Sequence, residues 1–287
     1  KNFIEQNNNY PRINRIRFLA ESKIYLRNNS PTSIINWFDK YPPLGGMGKI
    51  KLAEAYLEKG QVDKVGELIK EGWETATISK NDLGYYRAKF KKFIDSEDHI
   101  KRADYLAWEK KYWDLKRMLK YLPKDQRALY NARQILMSNS YGVDSAISRV
   151  PEYLKKDPGL EFDRLRWRNR RGRLEGSLEI LYRNSIKTEE QMVRPDKWWE
   201  QRESVVRSLI YKKRYKTAYK ISSEHALSAG PSFAEAEWLS GWIALTFLNS
   251  PEYAINHFQN FYNNVGYAVS QSRYVLELPS ADTRGGG

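Results

Sequence analysis

The segment over residues 233–261 constrains the fold most strongly, because it carries two amphipathic helical patterns separated by a short break. In the first pattern, alanine, serine and glycine recur at helical spacing among tryptophan, leucine, isoleucine and phenylalanine. Asn249-Ser250-Pro251 interrupts this pattern, and the second helix has one face made of Tyr253, Ala254, His257, Phe258 and Phe261. Small residues packed against large ones across a short turn form the unit of a helical solenoid.

The same unit recurs upstream, and together with the opening pair the breaks lie near positions 60, 111, 141, 172, 213 and 250. Their spacing of roughly 30–50 residues is typical of helix-pair repeats such as the tetratricopeptide repeat, although the period is irregular. The sequence contains little convincing strand pattern. It therefore predicts an all-α, irregular helix-pair solenoid over residues 1–278, followed by a disordered, glycine-rich tail over residues 279–287.

The net charge of +14 restricts the kind of partner and not the fold. It attracts nucleic acid, an anionic membrane surface or an anionic cell-wall polymer. The 9 tryptophans and 20 tyrosines suit stacking on bases or on sugar rings, although most tryptophans are expected in helix interfaces. No apolar run reaches the roughly 18 residues that a membrane-spanning helix needs.

Residues typical of metal or phosphate chemistry are few. The chain has no cysteine, and His99, His225 and His257 lack the helical i, i+4 spacing of a metal pair, so we expect packed or solvated histidines. The glycine-rich residues 45–49 lack the spacing and the preceding strand of a phosphate-binding loop. We therefore predict a turn and a helix start there, and neither a metal site nor a cofactor.

The densest positive cluster lies in residues 164–173, which contain six arginines. Cations at a helix C-terminus are stabilised by the helix dipole, but six exceed what capping needs. We weigh a mixed role, ion pairs plus an anion-facing surface, against a purely structural one. Trp198-Trp199 with Arg202 is a second candidate, in which one tryptophan is expected in the core because adjacent residues face different ways. The candidate binding residues are Arg166, Trp167, Arg168, Arg170, Arg171, Trp198, Trp199 and Arg202.

Catalysis by a carboxylate is not expected. Glu203 precedes Ser204 on a helix with Arg202 and Arg207 nearby, and an arginine can pair with it. A cationic partner lowers the pKa of a carboxyl group, which is the wrong direction for a general acid.

Several segments together resemble the α-superhelical region of the soluble lytic murein transglycosylases of the alphaproteobacterial type. The strongest matches are residues 233–245 and the downstream Phe247-Leu248-Asn249 and His257-Phe258, and the matches extend from about Pro11 to Arg273. The other matching segments are Trp37-Phe38, Pro42-Pro43-Leu44, Gly48-Lys49, Leu122-Pro123, Asp125-Gln126-Arg127-Ala128, Asp157-Pro158-Gly159-Leu160, Asp163-Arg164, Arg166-Trp167-Arg168, Gly172-Arg173 and Trp198-Trp199.

The resemblance implies helices that curl into a ring or a U, and a separate C-terminal lysozyme-like domain that cleaves peptidoglycan and leaves a 1,6-anhydro end. That domain carries a catalytic Glu-Ser motif and a downstream Gly-Leu-Met-Gln motif. The present sequence has no Gly-Leu-Met-Gln segment, and Glu203-Ser204 falls in the superhelical region, so no catalytic residue is carried over.

We therefore expect a noncatalytic, periplasmic domain that holds anionic peptidoglycan glycan strands near a lysozyme-like catalytic domain missing from this chain. Two alternatives remain open. One is a tetratricopeptide-like scaffold for a protein partner. The other is a basic nucleic-acid-binding helical repeat, which the lack of a base-reading pattern disfavours.

Overall fold

The computed structural model describes residues 2–7, 9–138, 141–185 and 188–264, and over these residues it contains sixteen α-helices and no strand. The predicted all-α, solenoid-like fold is confirmed. The predicted tail over residues 279–287 lies outside the described residues. No helix in the described part is long and apolar enough to cross a membrane. The chain divides into two compact units, Lys1–Lys155 and Lys156–Gly287.

The first unit contains ten α-helices in its described residues, joined by short turns and three 3-10 turns. The helices are α1 Asn2–Gln6, α2 Ile13–Glu21, α3 Pro31–Lys40, α4 Gly46–Glu58, α5 Gly66–Thr75, α6 Lys80–Lys89, α7 Ser96–Trp108, α8 Tyr112–Met118, α9 Lys124–Leu136 and α10 Val143–Ser148. Helices α4 and α5, α7 and α8, and α9 and α10 pack as neighbouring pairs, while α5 and α9 both pack against α7.

The second unit contains three successive helix pairs in its described part. The helices are α11 Pro158–Arg170, α12 Leu174–Asn184, α13 Pro195–Tyr211, α14 Tyr215–Ser223, α15 Gly230–Phe247 and α16 Pro251–Asn264. The first helices of the pairs, α11, α13 and α15, form a row in which α13 packs against both α11 and α15. The second helices, α12, α14 and α16, each pack on their own partner.

Four helix pairs share one type of turn. Gly60, Lys110, Gly172 and Lys213 have left-handed backbone conformations, with φ of 72°, 58°, 64° and 59°. In each turn the next N–H donates to the carbonyl oxygen five residues earlier, at 2.8–3.0 Å. This is a Schellman motif, which satisfies the last carbonyls of a helix and reverses the chain direction. The predicted breaks near 60, 111, 172 and 213 are thus confirmed as copies of one turn.

The glycine-rich segment over residues 45–49 begins a helix, as predicted. The carboxylate of Glu21 accepts hydrogen bonds from the N–H groups of Leu44 (2.6 Å) and Gly45 (2.9 Å), at the N-terminus of α4. Gly48 leaves room for it, because a Cβ atom there would lie 2.5 Å from a Glu21 oxygen. The carboxylate of Glu21 therefore occupies the position where the N-terminus of α4 would otherwise bind an external anion.

Candidate functional site

Both tryptophans of the Trp198-Trp199 pair are buried, with 1% and 2% of their surface exposed. Trp198 packs edge-on against Phe162 of α11, at 5.6 Å between ring centroids. The Trp199 indole N–H donates to the Glu235 carboxylate of α15 at 3.2 Å. The prediction that only one of the two lies in the core is wrong, because α13 is covered by α11 on one side and by α15 on the other.

Two candidate arginines also lie in the interior. The Arg202 guanidinium donates to the carbonyl oxygens of Ile221 (3.1 Å) and Asn184 (3.4 Å), and burial lowers its pKa to about 10. Arg166 is buried and pairs with the buried Asp163 at 3.0 Å. Since an interior side chain cannot meet a polymer at the surface, Arg166, Trp198, Trp199 and Arg202 have structural roles in this fold.

The remaining candidates lie at the surface around the end of α11. Arg168 is half-buried, donates to the Gly176 carbonyl and pairs with Glu179 of α12 at 3.1 Å. Arg170 and Arg171 are exposed. Trp167 is half-buried, and the guanidinium groups of Arg171 and Arg173 lie 5.4 Å and 4.7 Å from its ring centroid. This part of the cluster therefore combines ion pairing with exposed cations around an aromatic ring, and its role as an anion-facing surface stays a prediction.

The turn between α13 and α14 adds three more cations next to this cluster. We call Arg171, Arg173, Lys212, Lys213 and Arg214 the basic rim. Arg173 and Lys212 line one depression of about 160 Å³, and the same two residues with Arg214 line a wider one of about 510 Å³. The smaller depression is lined by Asn169, Gly172, Arg173, Leu174, Ser204, Val205, Ser208 and Lys212.

Sequence reasoning missed the contribution of residues 212–214, which are some forty residues from the α11–α12 turn. A signal was present, since both Schellman turns place a cation on each side of the left-handed residue: Arg171 and Arg173 around Gly172, and Lys212 and Arg214 around Lys213. Because α12 packs against α13, equivalent turns of successive pairs lie side by side.

A third depression in this unit, of about 360 Å³, lies between α13, α15 and α16. We call it the Trp238 cleft. Glu203 pairs with Arg207 at 2.5 Å, which confirms the expected ion pair. The cleft is lined by Glu203, Arg207, Pro231, Ala234, Glu235, Trp238, Leu239 and Phe261.

A buried polar network links Glu237 of α15 to two of the three histidines. The Glu237 carboxylate, 5% exposed, is bonded to His225 Nε2 at 3.1 Å and to His257 Nδ1 at 2.7 Å. Burial alone would raise the pKa of Glu237, but the two histidine hydrogen bonds outweigh it and lower the pKa to about 2. The predicted packed histidines are confirmed here, and within the described residues no cluster suited to a metal ion occurs.

The smaller depression of the basic rim and the Trp238 cleft lie next to each other along α13. Residues 203 and 207 line the cleft, and residues 204, 208 and 212 line the depression. Consecutive helical residues point about 100° apart, so these sets form neighbouring stripes of one helix. Ser204 and Ser208 on the side of the depression, and Arg207 on the side of the cleft, are all exposed.

Comparisons of the chain with protein-family models, with curated proteins and with solved structures find no match.

Proposed function

We propose that this chain is a noncatalytic helical-repeat domain that holds anionic peptidoglycan in the periplasm. This role is the one implied by its resemblance to the superhelical region of the lytic murein transglycosylases. In that role it works beside a lysozyme-like catalytic domain, which cleaves the glycan. The observation that carries the proposal is the basic rim, in which cations from two successive repeats meet beside Trp167.

Arg173 and Lys212 are the residues best placed to bind an anion. Arg168 and Arg214 already pair with Glu179 and Glu175 of α12. Neither Arg173 nor Lys212 forms an ion pair with any described residue, and both line the smaller depression. A guanidinium binds a carboxylate through two parallel hydrogen bonds, and an ammonium adds a point charge. The depression therefore suits the carboxylates that peptidoglycan carries on its muramyl and peptide groups.

The proposal is tested by co-sedimentation of the purified chain with insoluble peptidoglycan at low salt. Wild-type protein is expected to pellet, and the charge reversal Arg173→Glu/Lys212→Glu is expected to weaken binding about tenfold, since two exposed ion pairs contribute roughly 0.2–1 kcal/mol each and the reversal adds repulsion. The matched control is Lys91→Glu/Lys92→Glu, which makes the same change of charge at two exposed lysines of the first unit.

Three results would contradict the proposal. The first is no pelleting of the wild-type chain at low salt. The second is equal loss in the two charge-reversal variants, which would indicate a diffuse effect of net charge. The third is tighter, strongly salt-dependent binding to RNA than to peptidoglycan, which would favour the nucleic-acid alternative. We also expect no release of anhydromuropeptides by the isolated chain.

A second candidate function is a scaffold for a protein partner, and one observation in the first unit favours it. A groove of about 630 Å³ lies among α2, α4 and the end of α5, with Phe18, Leu19 and Leu44 exposed along it. Such a groove suits an extended apolar peptide. Peptides selected for binding to the chain should lose affinity with Leu19→Asp but not with the control Val62→Asp, an equally exposed apolar residue elsewhere. Equal binding by both variants would remove this candidate.

A further inference from the structure

We propose that the Trp238 cleft is a binding subsite for an uncharged pyranose ring, distinct from the anion-binding basic rim. The inference rests on the proposed glycan-holding function and adds to it a second site with different chemistry. None of the residues that line the cleft is among the candidate binding residues predicted from the sequence.

The two walls of the cleft match the two kinds of surface that a sugar ring presents. Trp238, Leu239 and Phe261, together with Pro231, form an apolar wall, and Glu203, Arg207 and Glu235 form a polar one. A pyranose ring has a face of C–H groups, which packs on an aromatic ring, and an edge of hydroxyl groups, which donate to carboxylates. The volume of about 360 Å³ lies at the lower end of the range for ligand pockets.

The aromatic ring of the apolar wall is held in place by its own helix. Trp238 stacks nearly parallel on Trp242, one turn later on α15, with an interplanar angle of 5° and 6.2 Å between centroids. Trp238 also packs against the buried cluster that joins α15 to α16, which includes Ala254 and Phe258. A ring whose orientation is already fixed loses little conformational entropy when a ligand stacks on it.

The polar wall has two carboxylates that are each oriented through one oxygen. Arg207 donates to Glu203 Oε1 through both Nε (3.1 Å) and Nη2 (2.5 Å). The buried Trp199 donates to Glu235 Oε2 at 3.2 Å. Within the described residues, Glu203 Oε2 and Glu235 Oε1 have no hydrogen-bond partner. Two oriented acceptors therefore remain for two hydroxyl groups of a ligand.

The charge of the cleft favours a neutral ring over an anionic one. It contains two carboxylates and one arginine, and that arginine is already paired with Glu203. A carboxylate ligand is repelled here and attracted to the basic rim, whose smaller depression borders the adjacent stripe of α13. A glycan strand that passes from the cleft over Ser204 and Ser208 into this depression can thus place an unsubstituted ring in the cleft and an acidic substituent at the rim.

The test uses a neutral tetrasaccharide of N-acetylglucosamine, titrated into the whole chain by calorimetry at low and at high salt. We expect saturable binding that salt leaves unchanged, because no ion pair forms. Trp238→Ala should weaken binding at least tenfold, and the control Trp113→Ala, which removes a tryptophan that is 64% exposed in the first unit, should have no effect. Because Trp238 is half-buried, Glu203→Ala/Glu235→Ala provides a second variant with a smaller risk to folding, and it should also weaken binding about tenfold.

The results of these experiments distinguish failure of the cleft subsite from failure of the proposed function. No saturable binding by the wild type, or unchanged binding in both cleft variants, would overturn the subsite even if the chain pellets with peptidoglycan. The subsite would also be overturned if the cation lysine amide displaced the tetrasaccharide at low salt but not at high salt. That result would show that the cleft binds cations through its carboxylates. Conversely, Arg173→Glu/Lys212→Glu should keep tetrasaccharide binding. Tetrasaccharide binding without any pelleting on peptidoglycan would leave the subsite intact and contradict the proposed function.

Discussion

Replacement of Glu237 by glutamine is expected to destabilise the second unit by about 3 kcal/mol. The Leu227 N–H donates to His225 Nδ1 at 3.0 Å, so the proton of that ring lies on Nε2 and is donated to Glu237. His257 donates to the other carboxylate oxygen. Glutamine has a single acceptor oxygen, and its NH₂ group would face one of these N–H donors. Leaving a buried donor unsatisfied costs roughly 1–3 kcal/mol, and the other bond loses its charge assistance.

The lowered pKa of Glu237 gives a similar free energy for the same two hydrogen bonds. Its pKa falls from the ordinary 4.5 to about 2 on folding, which corresponds to about 3 kcal/mol. Since the pKa is lowered in the folded state, this stabilisation is fully present above pH 4.5 and is lost as the pH falls through about 2. The difference between wild type and Glu237→Gln should therefore shrink from about 3 kcal/mol at pH 7 to roughly half of that at pH 3.

Urea unfolding followed by far-UV circular dichroism at both pH values measures this difference. The matched control is Glu252→Gln, the same chemical change at an exposed position of α16, which should alter the free energy of unfolding by less than about 0.5 kcal/mol. The reasoning is refuted if Glu237→Gln is no more destabilising than Glu252→Gln. It is also refuted if the destabilisation is the same at pH 3 and pH 7.

Three further predictions concern a buried arginine, a helix–helix contact and a left-handed turn, and each is tested by thermal or urea unfolding. Arg202→Met should cost about 3 kcal/mol because two buried carbonyl oxygens lose their donor, and a neutral result would mean that water replaces the guanidinium. Gly241→Ala should cost about 1–3 kcal/mol, since its Cβ would lie 2.7 Å from a phenylalanine ring of α16, whereas Gly84→Ala meets no atom within 4 Å and should stabilise by about 0.5 kcal/mol. Lys213→Gly should stabilise by about 0.5 kcal/mol, because glycine adopts φ of 59° without strain; destabilisation would show that the lysine side chain has a role of its own.

The helix pairs could be predicted because their signals are local. The pattern over residues 233–261 corresponds to α15, Gly230–Phe247, and α16, Pro251–Asn264, with the break at Asn249, whose φ is 50°. Helical spacing of apolar residues and a helix-ending turn each depend on residues fewer than about ten positions apart. The curvature of the solenoid into a ring or a U depends on no such local signal, and it stays a prediction.

The binding residues could be predicted only in part, because burial depends on which helices flank a segment. Arg170 and Arg171 lie at the surface as expected, but Arg202 and both tryptophans of α13 are interior. The periodicity of a single helix shows one apolar face and cannot show that a neighbour from another repeat covers the other side. For the same reason the Trp238 cleft was not predicted, although an ion pair between Glu203 and a nearby arginine was, and the structure shows that this arginine is Arg207.

The sequence by itself determined the class of fold, the repeated helix pairs, the turns between them and the strong positive charge, since these follow from local spacing and composition. Only the tertiary structure decided which side chains meet. The bond between Trp199 and Glu235 joins residues 36 positions apart, and Arg173 and Lys212 share one depression from different helix pairs. Such contacts arise from the stacking of one repeat on the next, and this stacking buries Arg166 and Arg202 and leaves a basic rim beside the Trp238 cleft.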